Sequence, residues 1–344
     1  PYLTCDAKEM WRRSQITIRE VRLKGYYMQK EKYCKLSMFH LKIIACITML
    51  IDHIACVTGW DGHDLLTFNT SWMRGVGRIA FPLFAFALAE GWHYTSDKTA
   101  YIRRMAILTC ISQIPYVLAL DEVNITGSIA GGTYIRLTSS WKYWLEMLVT
   151  LLVLYVMELH KERKGYLLIG LAGLIGGVFW KVQGLWICNP TRNIGYLLLA
   201  GLLVFRLIDY ATEEWHATLA EYRNEKTIRR LQMKKILTAG CTLLLVVLLT
   251  ANTGYDFGGL ILLLSLYIFR KHRWLQVVAG SLWSLIFYGV IHWNYVNAGF
   301  AVCAFALIIF YNNQKGRSCK KLFYWFYPVH LLLLGCVNIF LAFK

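Results

Sequence analysis

The sequence predicts an all-α fold class, namely a polytopic membrane bundle of about 11 transmembrane helices whose N-terminus lies in the cytoplasm. Three observations predict it. Of the 344 residues, 57% are hydrophobic and only 17% are charged, whereas soluble proteins carry about 25% charged residues. The hydrophobic residues fall into long runs, and the basic residues lie mostly between those runs. A soluble fold would leave such apolar surfaces in water, so a membrane is the expected solvent.

The predicted helices are apolar runs long enough, or nearly so, to cross a hydrocarbon core of about 30 Å. In chain order they are residues 39–58, 78–95, 104–120, 142–159, 165–182, 194–207, 235–252, 257–269, 274–292, 295–311 and 322–343. The sixth and eighth runs are short, so we expect them to extend beyond these limits, to be tilted or to be re-entrant.

The charged stretches divide the chain into parts. Residues 1–37 form a basic segment expected in the cytoplasm, and its opening at Pro1 rather than at a methionine admits a trimmed or partly non-native start. No cleavable signal peptide is expected before the first apolar run. Residues 38–344 form the transmembrane domain, in which 208–234 is expected to be a charged helical linker on the cytoplasmic side.

The net charge is +17, from 37 Lys and Arg residues against 20 Asp and Glu residues. With the N-terminus inside, most basic residues fall on the cytoplasmic side of alternate runs, as the positive-inside rule requires. The charge is therefore a topology signal, and no nucleic-acid partner is expected. The 10 cysteines include no Cys-x-x-Cys pair, so the sequence predicts neither a disulfide framework nor a zinc site.

Ionisable residues inside the apolar runs are the candidate functional groups, because an Asp, Lys or Arg at the membrane centre costs about 2.5–3.5 kcal/mol. Asp52 and His53 lie in the first run. Neighbours in a helix project about 100° apart, so each of the two needs a partner from another helix. The alternative interpretation is a polar pair that neighbouring helices or lipid headgroups satisfy.

Two further charged residues lie at predicted outer ends of runs. Arg78 begins the second run, where it is placed to meet an anion or Asp52, or simply to mark the membrane boundary. Asp256 lies at the mouth of the eighth run, either as the group that orients His53 or as an exposed loop acid. No cluster of His and carboxylate residues has metal-ligand spacing, so no catalytic metal is expected.

Towards the predicted inner side, Glu90 is expected to pair with Arg103 or Arg104. Tyr327 and His330 share one face of the last run at a spacing of one helical turn. An aromatic belt beside a basic loop is the simpler interpretation of the tyrosine. His330 within the membrane is a functional candidate. Phosphate-loop, serine-elbow and dinucleotide-binding motifs are absent from the sequence.

Together these motifs resemble the TraX family of conjugal-transfer membrane proteins, over roughly residues 38–342. The N-terminal motifs that carry the resemblance are residues 41–44, 49–54, 77–86, 90–91, 101–104 and 112–115. The C-terminal motifs are residues 255–256, 258–259, 311–312 and 326–333, with Gly316. The resemblance implies a multi-pass acyltransferase of the bacterial cytoplasmic membrane. Such an enzyme carries acetyl groups from cytosolic acetyl-CoA to an acceptor, and the family is named for acetylation of conjugative pilin.

The resemblance assigns roles to the candidate residues. His53 would act as general base or as a transient acetyl carrier, oriented by Asp52 or Asp256, while Arg78 would stabilise an anion or position a reactant. Cationic side chains are expected to contact the phosphates of acetyl-CoA, namely Arg103, Arg104, Lys320 and Lys321. The acyl tunnel would be lined by Tyr327 and His330.

Two other classes of function stay open from the sequence. A proton-coupled transporter or flippase would also use intramembrane acids and histidines, and would show pH-driven uptake without acetyl-CoA turnover. A non-enzymatic subunit of a membrane complex would tolerate the loss of His53. The expected partners are membrane lipids and an acyl acceptor, which is a peptide N-terminus, a sugar or a lipid.

Overall fold

The computed structural model describes residues 35–58, 71–120, 126–129, 132–135, 193–221 and 253–342, together with Gly240, Val246 and Thr250. The predicted runs at 142–159 and 165–182, most of the run at 235–252, and the basic segment up to residue 34 lie outside the described residues.

Helices form the body of the described chain. In order they are α1 (Met38–Thr58), α2 (Ser71–Gly77), α3 (Ala80–Tyr94), α4 (Lys98–Leu120), α5 (Ile194–Glu221), α6 (Asp256–Ile268), α7 (Arg273–Ser284), α8 (Tyr295–Ile309) and α9 (Lys320–Ala342). A 3₁₀ turn at Phe269–Lys271 precedes α7, and a π-helical segment at Leu285–Ile291 continues it.

The all-α prediction is confirmed for this body, with one addition. Strands β1 (Thr126–Ile129) and β2 (Gly132–Ile135) form an antiparallel pair in which Gly127 lies opposite Tyr134. The pair follows α4, in the stretch of sequence between the third and fourth predicted runs.

Three helical segments are long and apolar enough to cross a membrane, namely Met38–Thr58, Arg273–Ile291 and Lys321–Phe340. The apolar helix Tyr295–Ile309 is shorter. These segments support a membrane protein. The total of about 11 spans and the cytoplasmic N-terminus stay predictions from hydropathy and charge.

The helix that contains the sixth predicted run, at 194–207, extends beyond that apolar run. Helix α5 has 28 residues and continues without a break to Glu221, through the first half of the expected linker. The eighth run stays short, since α6 has 13 residues. Backbone hydrogen bonding continues a helix past the point where its side chains become polar, so hydropathy alone misplaces such an end.

Helix α3 lies at the centre of the described bundle, and most of its residues are buried. It carries small residues on different faces, such as Ala85 and Ala87, and large ones such as Phe86 and Trp92 that are nearly inaccessible. A helix that is apolar all round is expected to be buried. Helices α1, α5, α6 and α8 pack around it.

Helices α4 and α9 form the most extensive helix pair, and they run parallel. Their first turns meet near Tyr101 and Tyr324, and towards their far ends the Asn338 amide donates to the Leu118 carbonyl over 3.3 Å. Helix α1 joins the pair through a small buried cluster that includes Met49 and Leu331. This packing brings the middle of α9 against the second half of α1.

The start of α1 is fastened to the chain after α8. The Leu36 amide donates to the Phe310 carbonyl over 3.1 Å, and the Asn312 amide donates to the Leu36 carbonyl over 2.9 Å. Gly316 has φ +68°, and a Cβ there would lie 2.3 Å from Ser37 Oγ. The region where the start of α1 meets the chain after α8 is called the basic end of the bundle. It is defined by its basic residues, Lys42, Arg103, Arg104, Arg273, Lys315 and Lys321.

Candidate functional site

Two intramembrane histidines meet between α1 and α9. The Nδ1 atom of His53 lies 2.8 Å from the Nε2 atom of His330. The rings are within 7° of parallel, with centroids 5.1 Å apart. His330 is almost fully buried, and Phe326 and Tyr327, one turn before it, pack on its ring. The sequence predicted that each histidine is functional but did not predict that they pair.

The hydrogen bonds define which ring atoms carry protons in the neutral pair. The Nδ1 atom of His330 lies 2.7 Å from the Phe326 carbonyl oxygen. A carbonyl only accepts, so Nδ1–H of His330 donates and its Nε2 atom is left as an acceptor. His53 must then donate through Nδ1–H, which leaves a lone pair on its own Nε2 atom. That atom makes no hydrogen bond to a described residue.

Asp52 is paired with two arginines rather than with His53. Its Oδ1 atom accepts from Arg74 Nη1 over 2.7 Å and from Arg78 Nη2 over 3.2 Å. Arg74 also donates to the Cys56 thiol, and Arg78 Nε donates to the Arg74 carbonyl over 3.1 Å. The side chains of Asp52 and Arg78 are 14% and 16% exposed, while that of Arg74 is 40% exposed.

The short helix α2 makes this ion-pair cluster possible. Arg74 and Arg78 are four residues apart, so both guanidinium groups project to the same side and converge on Asp52. Gly77 allows the close approach, since a Cβ there would lie 2.3 Å from the Asp52 Cβ. Arg74 was missed as a site residue, and its spacing to Arg78 is the signal that would have found it.

Aromatic side chains form the other wall beside Arg78. Tyr255 stacks on Phe81 with centroids 4.0 Å apart, and Tyr288 lies edge-on to Tyr255 at 6.4 Å. Both phenols are within electrostatic reach of the Arg78 guanidinium. Tyr288 belongs to the π-helical segment, a local geometry that often occurs at functional sites. The sequence did not single out Tyr288, because a π-helical turn has no clear sequence signature.

Asp256 lies apart from the histidine pair. It is the first residue of α6, with φ 41°, and its side chain is exposed. Its backbone amide donates to the Thr253 carbonyl over 3.2 Å, and its carboxylate makes no hydrogen bond or ion pair with a described residue. The geometry therefore gives His53 a histidine partner rather than either of the two carboxylates considered from the sequence.

The residues expected to contact acetyl-CoA phosphates lie at the basic end. Arg103 and Arg104 are exposed in the first turns of α4, and Lys321 is exposed in the first turn of α9. Lys320 begins α9. Because α4 and α9 are parallel and adjacent, their basic first turns are neighbours. Tyr327 is buried beside His330, with ring centroids 5.7 Å apart.

A second polar cluster at the basic end corrects the expected partner of Glu90. The Arg273 guanidinium, and not Arg103 or Arg104, lies 3.8 Å from Glu90 Oε1. Arg273 also donates to Asn313 Oδ1 over 2.6 Å. Its guanidinium lies over the rings of Phe86 and Tyr311, 4.7 and 4.8 Å from their centroids. Sequence distance hid this partner, since Glu90 and Arg273 meet only when α3 and α7 pack.

Tyr311 is the polar neighbour of that cluster and follows α8. Burial raises the pKa of the Tyr311 phenol above its ordinary value, and the nearby Glu90 carboxylate raises it further. The phenol therefore stays protonated and neutral at physiological pH. In the described part of the chain, no three His, Cys, Asp or Glu residues lie close enough together to hold a metal ion.

Comparison with known proteins gives a family match and a partial relative. The sequence profile of the family described as TraX protein matches residues 37–220 and 217–338. The probable fimbrial assembly protein FimC, serogroup H1, of Dichelobacter nodosus is 33% identical over 90 residues, which are 26% of this chain and 35% of that protein. The match thus spans about a third of that relative's length. No solved structure matches.

Proposed function

Because this chain belongs to the TraX family, we propose that it is an integral-membrane acyltransferase of the bacterial cytoplasmic membrane. It transfers an acetyl group from cytosolic acetyl-CoA to an amine or hydroxyl acceptor. The lone pair on His53 Nε2 carries this proposal. A neutral imidazole whose other nitrogen is held by a hydrogen bond is the arrangement that general-base and nucleophilic histidines use.

Two routes of acetyl transfer are compatible with the lone pair on His53 Nε2. In direct transfer, His53 Nε2 takes the proton of the acceptor N–H or O–H while the acceptor attacks the thioester carbonyl. The C–S bond then breaks, and CoA leaves as a thiolate that recovers the proton from His53. In the two-step alternative, Nε2 itself attacks the thioester, so that the C–S bond breaks and CoA leaves as a thiolate. The acceptor then takes the acetyl group from Nε2, and the proton that the acceptor loses neutralises the thiolate. Both routes need the same tautomer of His53.

His330 and Asp52 act through other groups in this proposal. His330 is a positioning residue, because its Nε2 atom accepts from His53 and selects the tautomer. Asp52 holds Arg74 and Arg78 in place. Arg78 supplies positive charge for the oxyanion that forms when the thioester is attacked. It is ion-paired with Asp52, which directly precedes His53 in the chain.

The donor is proposed to bind from the basic end. Arg103, Arg104, Lys320 and Lys321 would contact the phosphates of acetyl-CoA, as charge-assisted pairs with exposed oxygen atoms. Tyr327 packs against His330 and would line the path of the acyl group towards His53. The cofactor is a consumed acyl donor in this reaction rather than a resident group.

The acceptor is proposed to be a peptide N-terminus on a pilus or fimbrial subunit. Two things support it: the resemblance to a family named for pilin acetylation, and the relative's name, which is probable fimbrial assembly protein. Because the match covers 35% of that relative, a sugar or lipid acceptor is tested beside the peptide. Membrane lipids surround the bundle in each case.

Turnover of labelled acetyl-CoA tests the proposal. Purified protein in nanodiscs is given radiolabelled acetyl-CoA, and CoA binding, CoA release and label uptake are compared among wild type, His53→Ala and His40→Ala. His40 is an exposed histidine of the same helix, so it is the matched control. We expect turnover or self-labelling that is lost only in His53→Ala. Folded protein that neither binds nor releases CoA would overturn the proposal, and pH-driven uptake would then be measured.

A further inference from the structure

We propose that Lys42 and Lys315 bind the phosphate that adjoins the pantetheine arm of acetyl-CoA, at the distance from His53 that this arm spans. The inference rests on the proposed acyl transfer and adds two donor-binding residues that were not assigned from the sequence. It is carried by two ammonium groups that lack a described counter-charge, by the loop that holds them together and by the spacing of Lys42 and His53 along α1.

The first observation is the pair of cations at the basic end. Lys42 lies in the second turn of α1 and is partly buried, while Lys315 is exposed in the loop after α8. The two ammonium groups are within electrostatic reach of each other. Among the described residues, neither side chain forms an ion pair. Lys42 Nζ instead lies 5.5 Å from the centroid of the Phe323 ring, which is a weak substitute for an anion.

The second observation is that the backbone holds the two lysines together in spite of their repulsion. The Met38 amide donates to the Gln314 carbonyl over 2.9 Å, and the Phe39 amide donates to the Lys315 carbonyl over 3.2 Å. Amides in the first turn of a helix have no partner within that helix, so these bonds fasten the loop to the start of α1. Cations fixed before binding attract an anion and lose little entropy when it arrives.

The third observation is the spacing along α1. Lys42 and His53 are 11 residues apart, so they lie on nearly the same face, with a net rotation of about 20° and a rise of about 16 Å. Helix α9 follows the same face, because Lys42 meets Phe323 and His53 meets His330. These two partners are about two turns apart on α9. The two helices are therefore parallel, and both begin at the basic end.

This spacing matches the chemistry of the donor. In acetyl-CoA, the arm between the nearer phosphorus atom and the thioester carbonyl is as long as about five residues of extended chain, or about 16 Å. A phosphate held by Lys42 therefore puts the carbonyl at the level of His53. Lysine ammonium groups are compact charges with several hydrogen atoms to donate, which suits phosphate oxygens. Arg103 and Arg104 are then available for the more distant phosphates.

The test compares three acetyl donors that lose their phosphates step by step. The full-length protein, in an uncharged detergent without lipid, is given acetyl-CoA, acetyl-phosphopantetheine or acetyl-pantetheine, with alanylalanine as the acceptor. Release of the free thiol gives kcat/KM. We expect Lys42→Met to lower kcat/KM about 10- to 100-fold for the first two donors, which carry the phosphate next to the arm. The value for acetyl-pantetheine, which has no phosphate, should change by less than about twofold.

Two further variants serve as controls. Lys271→Met removes the same charge from an exposed position outside the subsite, and it should leave kcat/KM unchanged for all three donors. Lys42→Arg keeps the charge and should recover part of the loss. If Lys42→Met lowers kcat/KM by one factor for all three donors, Lys42 has only a packing role. If it changes none of them, the ammonium group serves lipid headgroups instead. Either result would overturn the subsite and leave acyl transfer standing.

A binding measurement decides the case in which no donor is turned over. The apparent Tm of wild type, Lys42→Met and Lys271→Met is measured in sodium chloride, in sodium diphosphate of equal ionic strength and with short-chain phosphatidylglycerol. We expect diphosphate at about ten times its Kd to raise the Tm of wild type and Lys271→Met by about 2 °C, and of Lys42→Met by less. No rise in diphosphate, or a Lys42-dependent rise with the lipid alone, would overturn the subsite.

Discussion

The Nδ1 atom of His53 lies 2.8 Å from the Nε2 atom of His330, although 277 residues of chain separate the two histidines. Because His330 donates its other ring proton to the Phe326 carbonyl, this contact makes His53 a donor at Nδ1 and leaves a lone pair on its Nε2 atom. In the proposed reaction His330 would orient His53 and select its tautomer, as a carboxylate does in hydrolase triads, without placing a second negative charge in the membrane.

The first prediction concerns the pair formed by His53 and His330. In His330→Leu, His53 loses its acceptor and its tautomer is no longer selected, so we expect kcat/KM to fall about 10- to 100-fold. His330→Gln offers an amide oxygen and should recover part of the loss. The measurement is the pH profile of kcat/KM in the three proteins. A packing role alone would lower activity equally at every pH and in both variants, contrary to this prediction.

The second prediction concerns the ion-pair cluster. Asp52→Asn removes the negative charge that two guanidinium groups share, and unpaired buried charges are costly, so we expect the variant to lose about 3 kcal/mol or more of stability. Arg74→Gln should cost less, because Arg74 is 40% exposed and water replaces part of the pair. Apparent Tm values in detergent at one fixed scan rate give the order. A larger loss in Arg74→Gln would contradict it.

The third prediction uses two helical glycines. In Gly77→Ala the new Cβ would lie 2.3 Å from the Asp52 Cβ, so Asp52 must move and turnover should fall at least tenfold. Gly299→Ala is the control, because a Cβ there meets nothing within 4 Å. Alanine is the better helix former, so this control should keep activity and gain about 0.5–1 kcal/mol. Normal turnover in both variants would show that the close approach is unimportant.

The fourth prediction concerns the arginine at the basic end. Arg273→Lys keeps the charge but loses the planar group that lies over the rings of Phe86 and Tyr311, so we expect a loss of about 1–2 kcal/mol in stability. Lys271→Arg is the control, because Lys271 is an exposed residue close to Arg273 in the chain. This substitution should change stability by less than about 0.5 kcal/mol. Thermal unfolding of the two variants, compared with wild type, measures both. Equal stability of Arg273→Lys and wild type would mean that the stacking adds nothing.

The fifth prediction concerns donor binding. Replacing Arg103 and Arg104 together by Gln should raise KM for acetyl-CoA with little change in kcat, because the two residues would contact phosphates away from the reacting carbonyl. The effect should shrink in high salt, since exposed pairs are screened. The acetyl thioester of dephospho-CoA serves as the matched substrate. KM is measured for wild type and for the double variant with each of the two acetyl donors. If the double substitution raises KM by the same factor for both donors, these arginines do not contact the phosphate that dephospho-CoA lacks.

Much of the fold could be predicted from the sequence because hydrophobic runs and helix periodicity are local properties. The runs at 39–58, 274–292 and 322–343 correspond to the three segments that are long and apolar enough to cross a membrane. Helix ends were less accurate. The end of α5 at Glu221 and the strands after α4 depend on backbone hydrogen bonds that hydropathy does not describe.

The sequence by itself determined which residues are unusual, since an ionisable group in an apolar run is costly wherever its neighbours lie. Asp52, His53, Arg78 and His330 were all singled out on that ground. Only the tertiary structure decided their partners. It paired His53 with His330, gave Asp52 to Arg74 and Arg78, and left Asp256 exposed. The physical reason is that helix rotation and register are set by packing across the whole bundle, which no local pattern encodes.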